Sequence, residues 1–537
     1  MNRRKKRFCL LILGLTGLAA LFRLFRLDAA LEYDEIWTLE NYASASLKVI
    51  FTELALPNNH PLNSLAVKLT AFSGGAPQWI RLVPFLAGVL AVPLAGAAAF
   101  GLWKRRSAAL WSMFFVAVLP QAVFYSQQAR GYSLQLFFLL VFTAGLFAAR
   151  RRPVAGCAGI LLGAAGAMLT LPTSAFYLAA IGSAGLYRCR KDYRNRLPAA
   201  FSLAAAGAGS LIWVLVNLKS FEANRSWGSP IDSFGDLFSF LIDTAGQNLP
   251  YPVLFGALTA LLLGFRRSRP LLWLWGCLTV SAVAFNAGPP RTYLPLAAAT
   301  ALTAGYGIDL LLRRFPGGRK YLAACFVPAA LAALAAAYRQ PYPDWYAIHR
   351  TIRELPPEIT VVFPANDSNP LAWNNAPESY REQLRRIAPL PPGHAERKLL
   401  VVSRDGSMTG STSSGAETKI PLSVPGIPVE LDAMHGMLYG LEELDGPPAA
   451  GTPFLAFIRP LPEPEAKKLL RILSAGQECL FLNFWLCTPV TENDILYRYY
   501  LAGGIAGEPE KTGWDAFLHE KPGATALYRI VPAGKSR

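Results

Sequence analysis

Charged residues are scarce in this sequence. Only 16% of its 537 residues are Asp, Glu, Lys or Arg, whereas 53% are hydrophobic. Soluble globular chains carry roughly 25% charged residues. The composition therefore excludes an ordinary soluble protein and indicates a membrane protein.

Histidine and cysteine are also few, at five and seven residues. No spacing among them resembles a zinc site. The sequence therefore predicts no metal site and no certain cofactor, and it leaves a requirement for a divalent cation open.

The net charge of +17 would suit a nucleic-acid partner, but the positions of the basic residues argue against one. The bases cluster between apolar runs, which is the positive-inside pattern of cytoplasmic loops. We therefore predict contact with membrane lipids and no nucleic-acid partner. The clusters lie at 3–7, 104–106, 150–152, 188–196, 266–269 and 313–320.

About eleven apolar segments predict a polytopic α-helical membrane protein. No small-residue cleavage site follows the first segment, which favours an uncleaved span with a cytoplasmic amino terminus over a signal peptide. Segment 61–73 is too short to span, because its helix would rise about 20 Å against a hydrocarbon core of about 30 Å. It is predicted to be an outer surface helix that begins at Pro61. The predicted spans are 8–27, 79–102, 107–124, 131–149, 154–171, 173–188, 197–217, 251–265, 270–287, 292–312 and 320–338.

Residues 339–537 differ from the apolar part, 1–338, in being polar and rich in proline. On the predicted topology they are extracytoplasmic. A stretch of roughly 200 residues is a normal size for a domain. The pattern predicts a C-terminal α/β domain. Its predicted helices are 347–355 and 464–475, and its predicted strands are 359–364, 398–403 and 525–531.

The first outer loop, 28–78, is unusually acidic. Acidic side chains beside a membrane span are costly to hold there and suggest a site. The alternative is a loop that is acidic because it is solvated. Its acids are Asp28, Glu32, Asp34, Glu35, Glu40 and Glu53, against the bases Lys48 and Lys68.

Two arginines, Arg130 and Arg291, lie on the outer side, where basic residues are otherwise rare. Each is followed two residues later by a tyrosine, Tyr132 and Tyr293. The guanidinium fork suits a phosphate, and a nearby carboxylate suits the removal of a hydroxyl proton. The alternative is that both arginines anchor helix ends at the membrane surface.

His60 stands at the start of the predicted surface helix, and Lys68 follows on the same helical face. A phosphate there would also meet backbone N–H groups of the helix end. The alternative for His60 is an ordinary capping histidine.

Five short motifs occur in order: Tyr33-Asp34-Glu35, His60-Pro61-Leu62, Arg81-Leu82-Val83-Pro84, Tyr125-Ser126-Gln127-Gln128-Ala129-Arg130 and Arg291-Thr292-Tyr293-Leu294. With these motifs, residues 8–338 resemble the membrane glycosyltransferases of the GT-C class. Within that class, the motifs resemble those of glycosyltransferase family 39, the protein O-mannosyltransferases, and of the transferases of aminoarabinose and galacturonic acid that act on lipopolysaccharide.

The resemblance implies transfer of one sugar, with inversion, from a polyprenyl-phosphate donor to an acceptor outside a bacterial inner membrane. The acceptor would be a cell-envelope glycan, a lipid or a protein. Asp34 would be the base, with Glu35 as its neighbour in the same motif. Relatives usually have Glu where this chain has Gln128. The remaining positions would bind substrate: His60, Lys68, Arg130, Tyr132, Arg291 and Tyr293.

Two other classes of function remain open on the sequence. A lipid or glycolipid transporter or flippase would have charged residues near the bilayer midplane and repeat symmetry, and neither is evident. An envelope scaffold without activity is the third class. The sequence names neither the sugar nor the acceptor.

Overall fold

The structure is a computed structural model. It describes residues 3–54, 58–70, 76–149, 152–189, 196–225 and 230–338 and, beyond these, the residues of nine strands. Contacts divide the chain into two units, Met1–Asp28 with Ala45–Ala337, and Ala29–Ser44 with Tyr338–Arg537. Segment 29–44, which carries Asp34, thus groups with the C-terminal residues. The predicted domain boundary at 338/339 stays a prediction.

The residues described up to 338 are almost entirely helical. Short 3₁₀ turns cover Tyr125–Gln127, Pro290–Tyr293 and Pro316–Gly318, and a π-helical turn covers Thr38–Ala43. The α-helices are α1 (Arg3–Leu24), α2 (Tyr33–Trp37), α3 (Leu47–Thr52), α4 (Pro61–Thr70), α5 (Pro77–Ile80), α6 (Leu82–Trp103), α7 (Arg106–Val118), α8 (Pro120–Phe124), α9 (Tyr132–Ala148), α10 (Pro153–Thr170), α11 (Ser174–Cys189), α12 (Arg196–Val216), α13 (Leu218–Arg225), α14 (Phe234–Asn248), α15 (Tyr251–Phe285), α16 (Leu294–Arg314) and α17 (Arg319–Tyr338).

Seven of the helices in the described residues are long and apolar enough to cross a membrane, or eight if the bent pair α7 and α8 is one span. The chain is thus a multi-pass membrane protein by the length and composition of its helices. The predicted spans fall on helical segments, but 79–102 is interrupted at Arg81 between α5 and α6, and 107–124 at Leu119 between α7 and α8. The helix α4 begins at Pro61 as predicted. The count of eleven spans stays a prediction, because α9 and α11 are shorter apolar helices.

The helix α15 accounts for two predicted spans. Its 35 residues would rise about 52 Å as one straight helix, well beyond the hydrocarbon thickness of about 30 Å. The backbone is not helical at Gly264 (φ −138°, ψ 32°), and Pro270 follows within the same element. The kink separates the two apolar halves near the basic residues 266–269.

A buried arginine completes the break between α7 and α8, which are bent by 62°. Pro120 has no N–H, so the carbonyl of Val116 loses its helical donor. Arg23, fully buried in α1, supplies the missing donors: Nη2 donates to Val116 O over 3.3 Å, and Nη1 donates to Ala117 O over 3.0 Å. A cation at a helix C-terminus is also favoured by the helix dipole.

Close helix packing follows from small residues, as the Gly- and Ala-rich segments predict. A Cβ on Gly145 of α9 would lie 2.7 Å from the backbone nitrogen of Ile160 in α10. Phe142, Ile160 and Tyr177 are buried in the core that these helices share with α11. This core holds the middle and the C-terminal part of α9, and the candidate site begins at the other end of that helix.

The C-terminal strands form two sheets. The first sheet is mixed and has the strand order β2-β1-β6-β7-β9-β8. Strands β2, β1, β6 and β7 pair in parallel, and β9 pairs antiparallel with both β7 and β8. The second sheet is the antiparallel meander β3-β4-β5. The predicted strands at 359–364, 398–403 and 525–531 are present, whereas both predicted helices lie outside the described residues. The strands are β1 (Thr360–Pro364), β2 (Leu399–Val402), β3 (Lys419–Val424), β4 (Ile427–Asp432), β5 (Met437–Tyr439), β6 (Phe454–Phe457), β7 (Cys479–Leu482), β8 (Gly507–Lys511) and β9 (Leu527–Pro532).

Candidate functional site

Tyr132 is the centre of the polar cluster that we identify as the candidate site. It is the first residue of α9 and is buried. Its hydroxyl oxygen accepts a hydrogen bond from Nε of Arg291 over 2.9 Å and a longer one from Nη2 of Arg130 over 3.4 Å. Two guanidinium groups from separate turns therefore meet at one phenolic oxygen.

Arg130 is buried, with its Cζ atom 5.5 Å from the centre of the Tyr132 ring. Burial lowers the pKa of Arg130, and the charge of Arg291 lowers it further, while Tyr132 acts in the opposite direction. Both lowering effects are penalties on positive charge. An anion bound beside the two guanidinium groups would offset these penalties and gain charge-assisted hydrogen bonds.

Arg291 lies on the 3₁₀ turn Pro290–Tyr293 and is exposed. Within the part of the chain that the structure describes, it forms no ion pair. The turn itself is fixed from two sides, because Thr292 Oγ1 donates to Pro289 O over 2.8 Å and the hydroxyl of Tyr177 donates to Thr292 O over 3.0 Å. The turn thus presents a cation to solvent from a rigid support.

His60 holds the backbone of the turn next to Arg130. The N–H of Gly131 donates to Nδ1 of His60 over 2.8 Å, so a neutral imidazole carries its proton on Nε2. A Cβ at position 131 would lie 2.8 Å from that Nδ1, which leaves no room for a side chain. The His60 ring also meets the Tyr132 ring edge to face, at 5.3 Å between centres. His60 therefore positions the turn, and its contact with a substrate stays a prediction.

Two asparagines, to which the sequence pattern assigned no role, hold α4 in position. Asn59 donates from Nδ2 to the carbonyls of Ile50 (3.0 Å) and Glu53 (2.8 Å), at the end of α3. Asn63 donates from Nδ2 to the carbonyl of Ala129 over 2.8 Å. The run of polar residues around His60 was the sequence feature that could have indicated them. Polar side chains that are buried in apolar surroundings need hydrogen-bond partners.

Tyr125, the first residue of the motif at 125–130, and Gln135 also lie beside Tyr132, and the sequence pattern predicted a separate role for neither. The Tyr125 ring centre lies 4.7 Å from that of Tyr132. Gln135 is fully buried one helical turn after Tyr132 and donates to Ser174 Oγ (3.0 Å) and Thr173 Oγ1 (3.2 Å). Its Oε1 has no hydrogen-bond partner among the described residues. The spacing i, i+3 was the available signal for Gln135.

Gln127, in the motif at 125–130, and Arg81 have a structural role. Gln127 donates from Nε2 to the carbonyl of Phe22 over 3.1 Å and to that of Phe25. Arg81, fully buried, donates to the carbonyls of Arg26 (3.3 Å) and Leu27 (3.2 Å). Gln127 and Arg81 thus bind carbonyls at the C-terminal end of α1, which sets the position of the turn that carries Arg130.

Lys68 and Tyr293 have described contacts with other parts of the first unit. Lys68 donates from Nζ to the carbonyl of Ala45 over 2.8 Å. Tyr293 is buried with its ring centre 5.1 Å from that of Phe240 in α14. Their predicted roles in substrate binding stay predictions.

The acidic motif lies in segment 29–44, in which the short helix α2 leads into the π-helical turn Thr38–Ala43. Glu35 is fully buried, and its Oε2 accepts the backbone N–H of Glu32 over 2.9 Å. Its carboxylate therefore holds the start of α2. Asp34 is half-buried, one position earlier on the helix. π-helical turns are frequent at functional sites.

The described residues contain no group of three or more His, Cys, Asp or Glu side chains able to hold a metal ion. The polar atoms around Tyr132 are instead guanidinium, phenol, imidazole and amide groups. Because two of these groups are guanidinium cations, this set is suited to an anion rather than to a cation.

Comparisons with known proteins give distant structural similarity alone. No family model matches the sequence, and no curated protein matches it significantly. The structure is similar to crystal structures of ArnT from Cupriavidus metallidurans, apo and bound to undecaprenyl phosphate. Each has 12% sequence identity and a TM-score of 0.47 over 98% of this chain and 99% of that chain.

It is also similar to the archaeal oligosaccharyltransferase AglB from Archaeoglobus fulgidus in complex with an inhibitory peptide and a dolichol-phosphate. The identity is 14% and the TM-score 0.44, over 74% of this chain and 61% of that chain. At these values the similarity assigns neither a family nor an activity to the chain.

Proposed function

We propose that this protein is an integral membrane glycosyltransferase of the GT-C kind. It transfers a single sugar from a polyprenyl-phosphate donor to an acceptor on the outer side of a bacterial inner membrane. The observation that carries the proposal is the pair of guanidinium groups, Arg130 and Arg291, on the hydroxyl oxygen of Tyr132.

A lipid phosphate is the anion that this pair suits best. Each guanidinium can donate two parallel hydrogen bonds to phosphate oxygens, and it stays charged at every physiological pH. Arg291 is exposed and fixed on its turn, so it can meet a ligand without unfolding. Arg130 is buried, and a phosphate would offset the cost of its charge. The motifs that resemble GT-C enzymes include both arginines.

In the proposed reaction, Asp34 takes the proton of the acceptor hydroxyl. The acceptor oxygen attacks the anomeric carbon from the side opposite the phosphate, and the bond between that carbon and the phosphate oxygen breaks. The electron pair leaves with the lipid phosphate, and the configuration inverts. Arg130 and Arg291 stabilise the negative charge that grows on this leaving group.

The roles of the neighbouring residues follow from their contacts. His60 fixes the Arg130 turn through Gly131, and Tyr132 spaces the two guanidinium groups. Glu35 supports α2 beside the proposed base. We keep Lys68 and Tyr293 as residues of the donor-binding region, on the resemblance alone.

The proposed topology has a cytoplasmic amino terminus and extracytoplasmic residues 339–537. With this orientation all six basic clusters lie on the cytoplasmic side. Arg130 and Arg291 then lie on the outer side. The acceptor is accordingly an extracytoplasmic molecule, which would be an envelope glycan such as lipopolysaccharide, a lipid or a protein.

The test is deletion of the gene, followed by mass spectrometry of envelope lipids, polysaccharides and proteins. We expect one sugar to be missing from one acceptor class. Expression of the wild-type protein or of Arg269→Ala in the deletion strain should restore this sugar, and expression of Arg291→Ala should not. Arg269 is a matched control because its Nη2 also donates to a tyrosine hydroxyl, that of Tyr187, over 3.3 Å.

Two outcomes would contradict the proposal. An unchanged envelope would exclude transfer of a sugar to these acceptors. The flippase would be favoured if the purified protein moved polyprenyl-linked sugar across vesicle membranes and transferred no sugar to an acceptor.

A further inference from the structure

The helix α14 begins with a complete local cap. Ser233 Oγ accepts the backbone N–H of Asp236 over 3.1 Å. The Asp236 carboxylate accepts the backbone N–H (2.9 Å) and the hydroxyl (2.8 Å) of Ser233, and these bonds lower the pKa of Asp236. The helix start is thus stabilised by its own residues.

One face of α14 holds the turn that carries Arg291. Asn248 donates from Nδ2 to the carbonyl of Pro290 over 3.1 Å, directly before Arg291. The Phe240 ring meets the ring of Tyr293, the last residue of the turn, at 5.1 Å between centres. Residues 240, 244 and 248 repeat every four positions, so they share this packed face.

A second face of α14 is apolar and uncovered. Phe234, Phe238 and Ile242 are 82%, 58% and 54% exposed. They also repeat every four positions and lie beside the packed face, because successive residues turn by about 100°. Scattered exposed apolar residues need no explanation, but a continuous row of this kind marks an interaction surface.

The third face of α14 is polar. Asp236, Ser239 and Asp243 are exposed on it, and Ser239 Oγ donates to Asp243 Oδ2 over 3.2 Å. Around the helix, the packed face, the apolar face and the polar face follow one another. A helix that lies along a protein at a membrane surface needs this order, with hydrocarbon on one free side and water on the other.

The surroundings identify lipid as the occupant of the apolar face. The span α15 begins at Tyr251, three positions after α14 ends, and its exposed apolar residues continue the surface. Tyr251 is 88% exposed, Phe255 51% and Leu262 83%. The turn Pro290–Tyr293, on which α14 packs, leads directly into the span α16. Both anchor points of α14 are therefore span ends.

We propose that α14 is a membrane-surface helix whose side chains Phe234, Phe238 and Ile242 insert among the lipid chains of the outer leaflet. Its packed face then holds the Arg291 turn at the level of the lipid headgroups. The insertion itself is independent of the proposed function, whereas its assignment to the outer leaflet rests on the proposed topology. Its consequence for Arg291 rests on that function, since a carrier phosphate at the same level would meet the guanidinium.

The first test measures depth in the bilayer. Phe238→Cys and Ser239→Cys are made separately in the full chain, with the seven native cysteines replaced, and are labelled with a nitroxide. In phosphatidylcholine and phosphatidylglycerol vesicles, the label at 238 should collide more with oxygen than with a water-soluble nickel chelate. The label at 239, on the polar face, should show the opposite preference. Equal preference for the nickel chelate at both positions would overturn the insertion.

The second test measures the consequence for Arg291. Phe238→Asp and Ser239→Asp both add a carboxylate, on the apolar and the polar face respectively. In vesicles, Phe238→Asp should weaken the binding of sugar-free polyprenyl phosphate at least fivefold, and Ser239→Asp should leave it unchanged. A Phe238→Asp protein that keeps its thermal stability and wild-type affinity would overturn the positioning role. A wild type that binds no polyprenyl phosphate would refute the proposed function and leave the nitroxide test to decide the insertion.

Discussion

Nε of Arg291 donates a hydrogen bond over 2.9 Å to the hydroxyl oxygen of Tyr132, although 159 positions separate the two residues. The contact joins the turn before α16 to the first residue of α9. The guanidinium of Arg291 is exposed and the phenol of Tyr132 is buried. Arg130 also donates a hydrogen bond to this hydroxyl oxygen. Residues that bind a donor and residues that only hold the fold should therefore respond differently to substitution.

Removal of the Tyr132 hydroxyl should weaken donor binding. Tyr132→Phe keeps the ring against His60 and removes the acceptor shared by the two arginines. A hydrogen bond to a charged group contributes about 1.5–3 kcal/mol, so the Kd for polyprenyl phosphate should rise about 10- to 100-fold. Tyr187→Phe, which removes the acceptor of Arg269, is the control and should bind normally. An unchanged Kd for Tyr132→Phe would rule out this spacing role.

The two arginines should respond to lysine and alanine differently. Lysine keeps the charge and loses the planar fork, so Arg291→Lys should weaken polyprenyl-phosphate binding less than Arg291→Ala, yet measurably. Arg130→Ala should also lower the thermal stability, because Arg130 is buried. Arg291→Ala should lower it less, because Arg291 is exposed. Binding constants and thermal unfolding in detergent measure the two effects. If both alanine variants bind normally, the arginines are membrane anchors.

Asp34 should affect chemistry and leave donor binding intact. Asp34→Asn keeps the size and loses the basic oxygen, and general-base assistance contributes about 10²–10⁴-fold in rate. Sugar transfer should fall by about that factor, with unchanged affinity for polyprenyl phosphate. Glu35→Gln should cost less activity, because Glu35 holds the N-terminus of α2 through the backbone of Glu32. Transfer by Asp34→Asn at the wild-type rate would exclude Asp34 as the base.

Arg23 should matter for stability alone. Arg23→Met fills similar space and leaves the carbonyls of Val116 and Ala117 without their donors. Each buried carbonyl without a partner costs about 1–3 kcal/mol. The apparent Tm in detergent should drop clearly, while the folded fraction binds polyprenyl phosphate with wild-type affinity. A loss of affinity at unchanged Tm would move Arg23 into the binding site.

The topology can be tested with engineered cysteines. Gly410→Cys should react with a membrane-impermeant maleimide added to intact cells without their outer membrane, and Arg190→Cys should not. Both are made in a background without native cysteines, because Cys325 is exposed. The expectation follows from the basic cluster 188–196, which favours the cytoplasmic side. The reverse pattern would remove Arg130 and Arg291 from the outer side and with them the proposed reaction.

The sequence by itself determined that the chain is a multi-pass membrane protein and where its long apolar helices lie. Long apolar runs must satisfy their backbone groups internally, so in lipid they have to be helical. The start of α4 at Pro61 followed from the same local physics, since proline needs no hydrogen-bond partner at a helix start. The sequence also selected Arg130, Tyr132 and Arg291 as polar residues at span ends, and His60 as a polar residue at the start of α4.

Only the tertiary structure decided what these residues do to one another. Both arginines looked alike in the sequence, yet one is buried and one is exposed, and they share Tyr132 as an acceptor. Tyr293 follows the same spacing rule as Tyr132, yet it packs on Phe240. Such pairings join positions that are far apart along the chain, and they depend on how α9, α14 and the turn before α16 pack. Helix periodicity defines the face of one helix at a time and carries no information about which face of another helix will cover it.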